Sequence, residues 1–272
     1  MIFYHILLKN LMMSRQGLDK GITQEYTINM SCRKIIFSPG EYYHCYNRGT
    51  EKRKIFLDQG DYERFIALLF VCNTNNVIHL SDHKDKSFSE IFQIEREDAL
   101  VEIGAYCLMT NHFHLLLKEK KDGNISIFMQ KLITAYVMYF NKKYNRTGFL
   151  FEGKFKAKHA NKDEYLKYLF SYIHLNPIKI IDPKWQEEGI KSIAHAKEFL
   201  LEYKYSSYLD YISEDDTPRV QKKILNLEAF PDYFSNKNKK EMWKEMLEWL
   251  SLSRQGLDNC QLKKIILFGY HG

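Results

Sequence analysis

The chain has 272 residues, 45% of them apolar and 27% charged, with a net charge of +6 and a pI near 8.8. That is an ordinary soluble globular composition, long enough for one main domain with additions, and its modest positive excess permits a nucleic-acid partner without demanding one. The five cysteines (Cys32, Cys45, Cys72, Cys107, Cys260) are odd in number and lack metal or redox spacing, which excludes a disulfide framework and points to reduced thiols in a cytosolic protein.

The first 13 residues open apolar, but the run is too short for a membrane helix and lacks the basic start and cleavage site of a signal peptide. Residues 1–33 are expected to be a poorly ordered peripheral extension, and translation starting at Met30 is an alternative. Residues 42–48 read as a first strand. The loop after it, Arg48-Gly49-Thr50-Glu51-Lys52-Arg53-Lys54, carries four cations in seven residues. It is either a solvated charge run or a phosphate-gripping loop.

Residues 58–75 fit a helix whose buried stripe is Tyr62, Phe65, Ile66, Leu69 and Phe70, with Asp58 as its cap. Residues 76–100 look like a polar insertion, with His79 and His83 as surface histidines. Two strands follow, an apolar run at 101–109 and His112-Phe113-His114-Leu115-Leu116-Leu117-Lys118, separated only by the turn-like Thr110-Asn111. Alternate strand residues share a face, so His112 and His114 point one way and Phe113 the other. Two imidazoles aimed at one spot suit a metal ion; two ordinary histidines on a half-exposed strand is the plain alternative.

Asn124 is expected to cap a long helix whose core face is Ile125, Phe128, Met129, Leu132, Tyr136 and Phe140. Basic residues at its end, through Arg146, complement the helix dipole or reach DNA. Residues 149–160 read as the last strand, with Lys154, Lys156 and Lys158 on one face and Phe155 and Ala157 behind them: a DNA track or a solvent face. Residues 161–176 then form a helix with the apolar stripe Leu166, Leu169, Phe170 and Ile173, capped by Asn161 or Asp163 and stopped by Pro177. Tyr172 and Asn176 share a face in its last turn. Over the histidine pair, that face would assemble two imidazoles, an amide oxygen and a phenol, and a phenol becomes useful when a metal polarises a phosphate beside it. Short helices are expected to about residue 211. A final helix over 241–250 carries Trp243, Met246 and Trp249 as its stripe.

The order strand-helix-strand-strand-helix-strand predicts an α+β fold, a ferredoxin-like βαββαβ sandwich with an antiparallel sheet, a further helix carrying the tyrosine and a helical C-terminal extension. The expected domains are an extension over 1–33, a core over 34–180 and a helical extension and tail over 181–272. No Gly-rich phosphate loop, Gly-x-Ser-x-Gly or His-Glu-x-x-His occurs, which leaves nucleotide hydrolysis, serine hydrolysis and zincin chemistry without support.

The His112-Phe113-His114 pair resembles the signature of the HUH single-strand endonucleases. Tyr172-Ile173-His174-Leu175-Asn176-Pro177-Ile178-Lys179 resembles the catalytic helix of the single-tyrosine, IS200-like transposases, with the REP-associated tyrosine transposases as the nearest group. Tyr42-Tyr43-His44-Cys45-Tyr46-Asn47-Arg48-Gly49 resembles that group's opening strand, and residues 146–157 resemble its segment before the catalytic helix. The resemblance spans about 33–211, with four blocks in the family's order.

It implies a metal-dependent single-stranded DNA endonuclease and strand transferase. His112, His114 and Asn176 would hold Mg2+ or Mn2+, and Tyr172 would be the nucleophile, forming a 5′-phosphotyrosine. Arg48, Lys52, Arg53, Lys54, Arg146, Lys154, Lys156 and Lys158 would contact DNA. The implied partner is single-stranded or hairpin DNA, with no membrane, and the implied setting is the bacterial cytoplasm at the nucleoid, as a monomer rather than a dimer. The rivals are a hairpin-binding protein without catalysis, and a ribonuclease using the same site.

The block Ser-Arg-Gln-Gly-Leu-Asp occurs twice, at 14–19 and 253–258. One pair is too little for a repeat architecture. It is expected to be the translated trace of repeated DNA flanking the gene, with no catalytic duty.

Overall fold

The computed structural model describes residues 35–212, 219–232 and 239–256. The expected 1–33 extension, the first copy of the repeated hexapeptide and the last two residues of the second lie outside the described residues. Strands β1 (Tyr42–Arg48), β2 (Val101–Met109), β3 (His112–Glu119) and β4 (Lys156–His159) form an antiparallel sheet in the order β2-β3-β1-β4. This is the expected ferredoxin-like topology, with β3 inserted between β1 and β2.

One sheet face buries Tyr43, Cys45, Phe113, Leu115 and Leu117 against α1 (Gln59–Val71) and α3 (Asn124–Lys143), joined near the edge by the short α2 (Phe88–Ile91). The other face carries His44, Tyr46, His112, His114 and Leu116 and receives α4 (Asp163–Leu175). A bulge between Ile103 and Ala105 switches the parity of β2. Before it Val101 and Ile103 face α1 and α3; after it Tyr106 and Leu108 do, which turns Cys107 and Met109 toward α4. Gly104 sits at the bulge, and a Cβ there would meet the Phe230 ring at 2.5 Å.

Helix α4 is buried on nearly every side, residues 168 to 175 without exception. Its sheet side holds Tyr172, and α8 (Lys239–Gly256) covers it through Met242, Trp243, Met246 and Trp249. Between them run α5 (Trp185–Glu188), α6 (Ile193–Glu202) and α7 (Tyr208–Ile212). The segment before α7 lies on the free edge of β2: Leu108 N donates to Tyr205 O at 3.0 Å and Ser207 N to Tyr106 O at 3.0 Å.

Local chemistry moves several expected boundaries. Helix α1 stops at Val71 because the Asn73 amide is taken by β2, accepting from Val101 N and donating to Val101 O, both at 2.9 Å. The last strand is four residues long, not twelve. Residues 149–155 make a single bridge, Gly49 to Phe151, and turn at Gly153, whose φ of 91° suits glycine. Asn124 does not cap α3; Gly123 holds the cap position and the Glu119 carboxylate accepts from Ile125 N at 2.8 Å, while the Asn124 amide donates to Leu100 O. Neither Asn161 nor Asp163 caps α4; Lys162 stands there without a side-chain bond, and Asp163 pairs with Lys167 at 2.7 Å.

Asp58 does cap α1, within a capping box closed by Asp61. Asp61 is buried and ties α1 to α3: it accepts from Leu57 N at 2.8 Å, Tyr144 Oη at 2.8 Å and Lys143 Nζ at 2.8 Å. Replacing Lys143 with Met should leave this carboxylate with neutral donors only and destabilise the protein by roughly 1.5–3 kcal/mol, the scale of a hydrogen bond to a charged group. Urea denaturation of Lys143→Met measures it, and a change no larger than that of an exposed lysine would refute the role.

Candidate active site

The site lies where α4 crosses the histidine face of the sheet. His112 and His114 project from β3 beside the two-residue turn, and Tyr172 from α4 meets the His114 ring edge-on, centroids 5.3 Å apart. Asn176, one turn beyond Tyr172, is buried, and its amide lies beside both the His112 ring and the Tyr172 hydroxyl. Gln186 from α5 also hydrogen-bonds that hydroxyl. The structure thus brings together the four residues that the sequence singles out for chemistry.

The His112 tautomer is set by its turn. Asn111 donates through Nδ2 to Lys52 O at 3.2 Å, which turns its Oδ1 to the His112 ring, 2.5 Å from Nδ1. An amide oxygen only accepts, so His112 Nδ1 carries the proton and Nε2 keeps its lone pair. His114 Nε2 and Asn176 Oδ1 are buried with no hydrogen-bond partner. Leaving such atoms unsatisfied costs about 1–3 kcal/mol each, a cost that a cation between them would remove.

Burial holds both imidazoles neutral. His114 is pushed down to about 3 by burial, then by Arg48 and Lys179. His112 is held well below its ordinary value by burial, His114, Arg48 and Lys179. Neutral imidazoles are the ligand form. Two of them plus an amide oxygen fit a hard divalent ion that keeps other positions open for water or phosphate. Among the described residues no three His, Cys, Asp or Glu side chains converge, so the amide is the third protein donor available here. The Tyr172 phenol is pushed well up by burial, while hydrogen bonds from Asn176 and Gln186 favour its ionised form.

The basic residues divide. Arg48 ends β1, as the expected strand over 42–48 has it, and is buried directly across from His112 in the ladder rather than exposed with the rest of the basic loop. Lys156 and Lys158 are half-buried on the same face, across from Tyr46 and His44. Lys52 and Lys54 are exposed in the loop packed against the His112 turn, and Arg53 is turned back on Thr50 O at 3.0 Å and Glu51 at 3.2 Å. Lys154 is exposed and precedes β4 rather than lying in it. Arg146 is not brought to the site; its guanidinium lies 5.6 Å over the Phe140 ring, in the core of the opposite face.

Sequence reasoning missed His44, Tyr46, Lys179 and Gln186. Period two along β1 marks His44 and Tyr46 as a shared face, but only the β1–β3 register puts them beside His114. Lys179 had a local signal: it comes three residues after Asn176 in a 3-10 turn, where such side chains eclipse.

Residues 42–176 match the family model described as transposase IS200 like. The chain belongs to the IS200-like transposase family. That is a family of DNA transposases, so DNA binding and DNA transposition are its coarse activity. Tyr172 and Asn176 close the matched region and the first strand opens it. Among solved structures, a REP-associated tyrosine transposase bound to a REP hairpin is similar at 11% identity and a TM-score of 0.39, over 76% of this chain and 98% of that one. A tRNA(His) guanylyltransferase from Saccharomyces cerevisiae is similar at 12% identity and a TM-score of 0.32, over 74% and 85%. No curated protein matches the chain. No helix among the described residues is long and apolar enough to cross a membrane.

His174 is likewise buried and pushed down to about 3, its Nε2 2.8 Å from Ser207 Oγ. For such groups the unfolded chain takes up protons below the ordinary value of 6.5 while the folded chain does not until about 3. Stability should therefore fall as pH drops through that window, by roughly 1.4 kcal/mol per pH unit for each such histidine. Melting temperatures of metal-free protein between pH 7 and pH 4 test this; a flat profile would mean these rings protonate in place.

Proposed function

We propose that this transposase is a metal-dependent single-stranded DNA endonuclease and strand transferase acting through Tyr172. The observation that carries the proposal is the seating of the Tyr172 ring 5.3 Å from His114, with Asn176 one helical turn away. His112, His114 and Asn176 would hold Mg2+ or Mn2+. Bound there, the ion polarises the scissile phosphate and offsets charge in the transition state. Residues 34–180 would form the catalytic core, with 181–272 an extension whose described helices cover α4.

The chain's own groups do the rest. Arg48, close enough to feel the Tyr172 charge, favours the phenolate, and Asn176 and Gln186 hydrogen-bond it. The Tyr172 oxygen attacks phosphorus, the bond to the 3′ oxygen breaks, and that oxygen leaves as a 3′-OH after taking a proton. The new 5′-phosphotyrosine keeps the phosphodiester energy, so rejoining to another 3′-OH needs no ATP. Burial of Tyr172, 3% exposed, limits attack by water. Hairpin DNA of the REP type is the proposed substrate, the cytoplasm at the nucleoid the proposed place, and a monomer the proposed acting form.

Tyr172→Phe should retain binding to a labelled single-stranded hairpin and lose the covalent adduct that wild type forms with Mn2+, read on a denaturing protein gel. An adduct persisting in Tyr172→Phe would remove Tyr172 from its role, with Tyr165 and Tyr168 the next candidates on the helix. A wild-type protein that binds the hairpin and never forms an adduct would favour a binding protein without catalysis.

Lys156 and Lys158 should contact phosphates on the way to the site. Neutralising both with Gln should weaken binding equally for unrelated hairpins and lower the salt slope by about 2, roughly one per phosphate contact. An unchanged slope would make them supports of the sheet face.

A further inference from the structure

On the side of the His114 ring away from its proposed ligand nitrogen, Nδ1 lies 2.9 Å from His44 Nε2. Both rings are buried and nearly stacked, with centroids 5.0 Å apart and planes 27° apart. The contact joins residues 70 positions apart through the β1–β3 ladder. His44 also meets the Tyr172 ring edge-on at 6.1 Å and stacks on Tyr46 at 4.8 Å. It therefore has little freedom to turn.

We propose that His44 is a positioning residue that fixes the tautomer and ring plane of His114, as Asn111 does for His112. A hydrogen bond between two neutral imidazoles admits two arrangements. If His114 Nδ1 donates to His44 Nε2, His114 Nε2 keeps a lone pair and can ligate. If His44 Nε2 donates, His114 Nε2 carries the proton and cannot. Each arrangement leaves one buried N–H without a protein partner, at His44 Nδ1 or at His114 Nε2, so packing alone does not choose. A cation at the site chooses the first, because it needs the His114 Nε2 lone pair. His44 must stay neutral to accept. The ring thus serves as the outer partner that a metal-bound histidine ordinarily finds in a carboxylate or a backbone carbonyl.

This inference rests on His114 being a ligand, and the test separates the two. Mn2+ binding is measured by calorimetry on full-length protein without DNA, for wild type, His114→Ala, His44→Phe and His44→Gln. His44→Phe keeps the flat ring and loses the acceptor, and should bind roughly 10–100-fold more weakly, the usual scale of a lost outer partner. His44→Gln restores an acceptor oxygen and should recover most of that loss. Long-range 15N–1H spectra of wild type with Mg2+ should show His44 protonated at Nδ1 with its Nε2 accepting, a readout that needs no variant to fold. If His114→Ala loses Mn2+ while His44→Phe binds as wild type, or if His44 is protonated at Nε2 in those spectra, the role of His44 is overturned. If His114→Ala binds Mn2+ as wild type, the metal site itself is misplaced, and the inference falls with it.

Discussion

Everything at the site depends on packing an amphipathic helix over a sheet face that is not wholly apolar. Water is driven out by Leu166, Leu169, Phe170 and Ile173 on α4 and by Ala105, Cys107, Met109 and Leu116 on the strands. Each large side chain buried in that way contributes ~1.5–3 kcal/mol, enough in sum to carry several desolvated polar groups. Exclusion of water strips the histidines of their charge and raises the phenol, so neutral imidazoles and a protonated phenol both arise from one packing event. The same exclusion strengthens any charge brought in with substrate.

Much of this was written locally. Alternation in β3 placed His112 and His114 together, and helical spacing placed Tyr172 with Asn176. What the sequence could not supply was register. His44 became a neighbour of His114 only once β1 paired with β3, and Arg48, the last residue of the expected strand, is drawn to the site because the ladder runs to the residue opposite His112. Helix ends were misplaced for a related reason. Asn124 has the ideal cap chemistry, but the helix starts one residue earlier, where a glutamate from the preceding strand accepts from Ile125 N, and Asn73 is drawn from its helix by the start of β2. In each case a tertiary partner displaced a local one.

The family match and the fold answer different questions. The match over 42–176 covers the sheet, its two backing helices and α4, and stops at the last residue of the proposed ligand set. The chain beyond Asn176 is nonetheless built into the architecture. Ser207 bonds to His174 and to both backbone groups of Tyr106, so a residue beyond the matched region sets the rotation of the tyrosine helix over β2. Gln186, also beyond the match, reaches the Tyr172 hydroxyl.

The segment lying on β2 has a consequence for how the chain behaves before it is complete. A strand of nine residues, apolar on both faces and unpaired along one side, is a template onto which any extended peptide can crystallise. Here that template is occupied by residues about a hundred positions later, Tyr205 to Ser207. During synthesis the ribosome delivers the sheet first and its cover last. In that interval the newborn domain is sticky, and the late arrival of Tyr205 to Ser207 is what makes it safe to release.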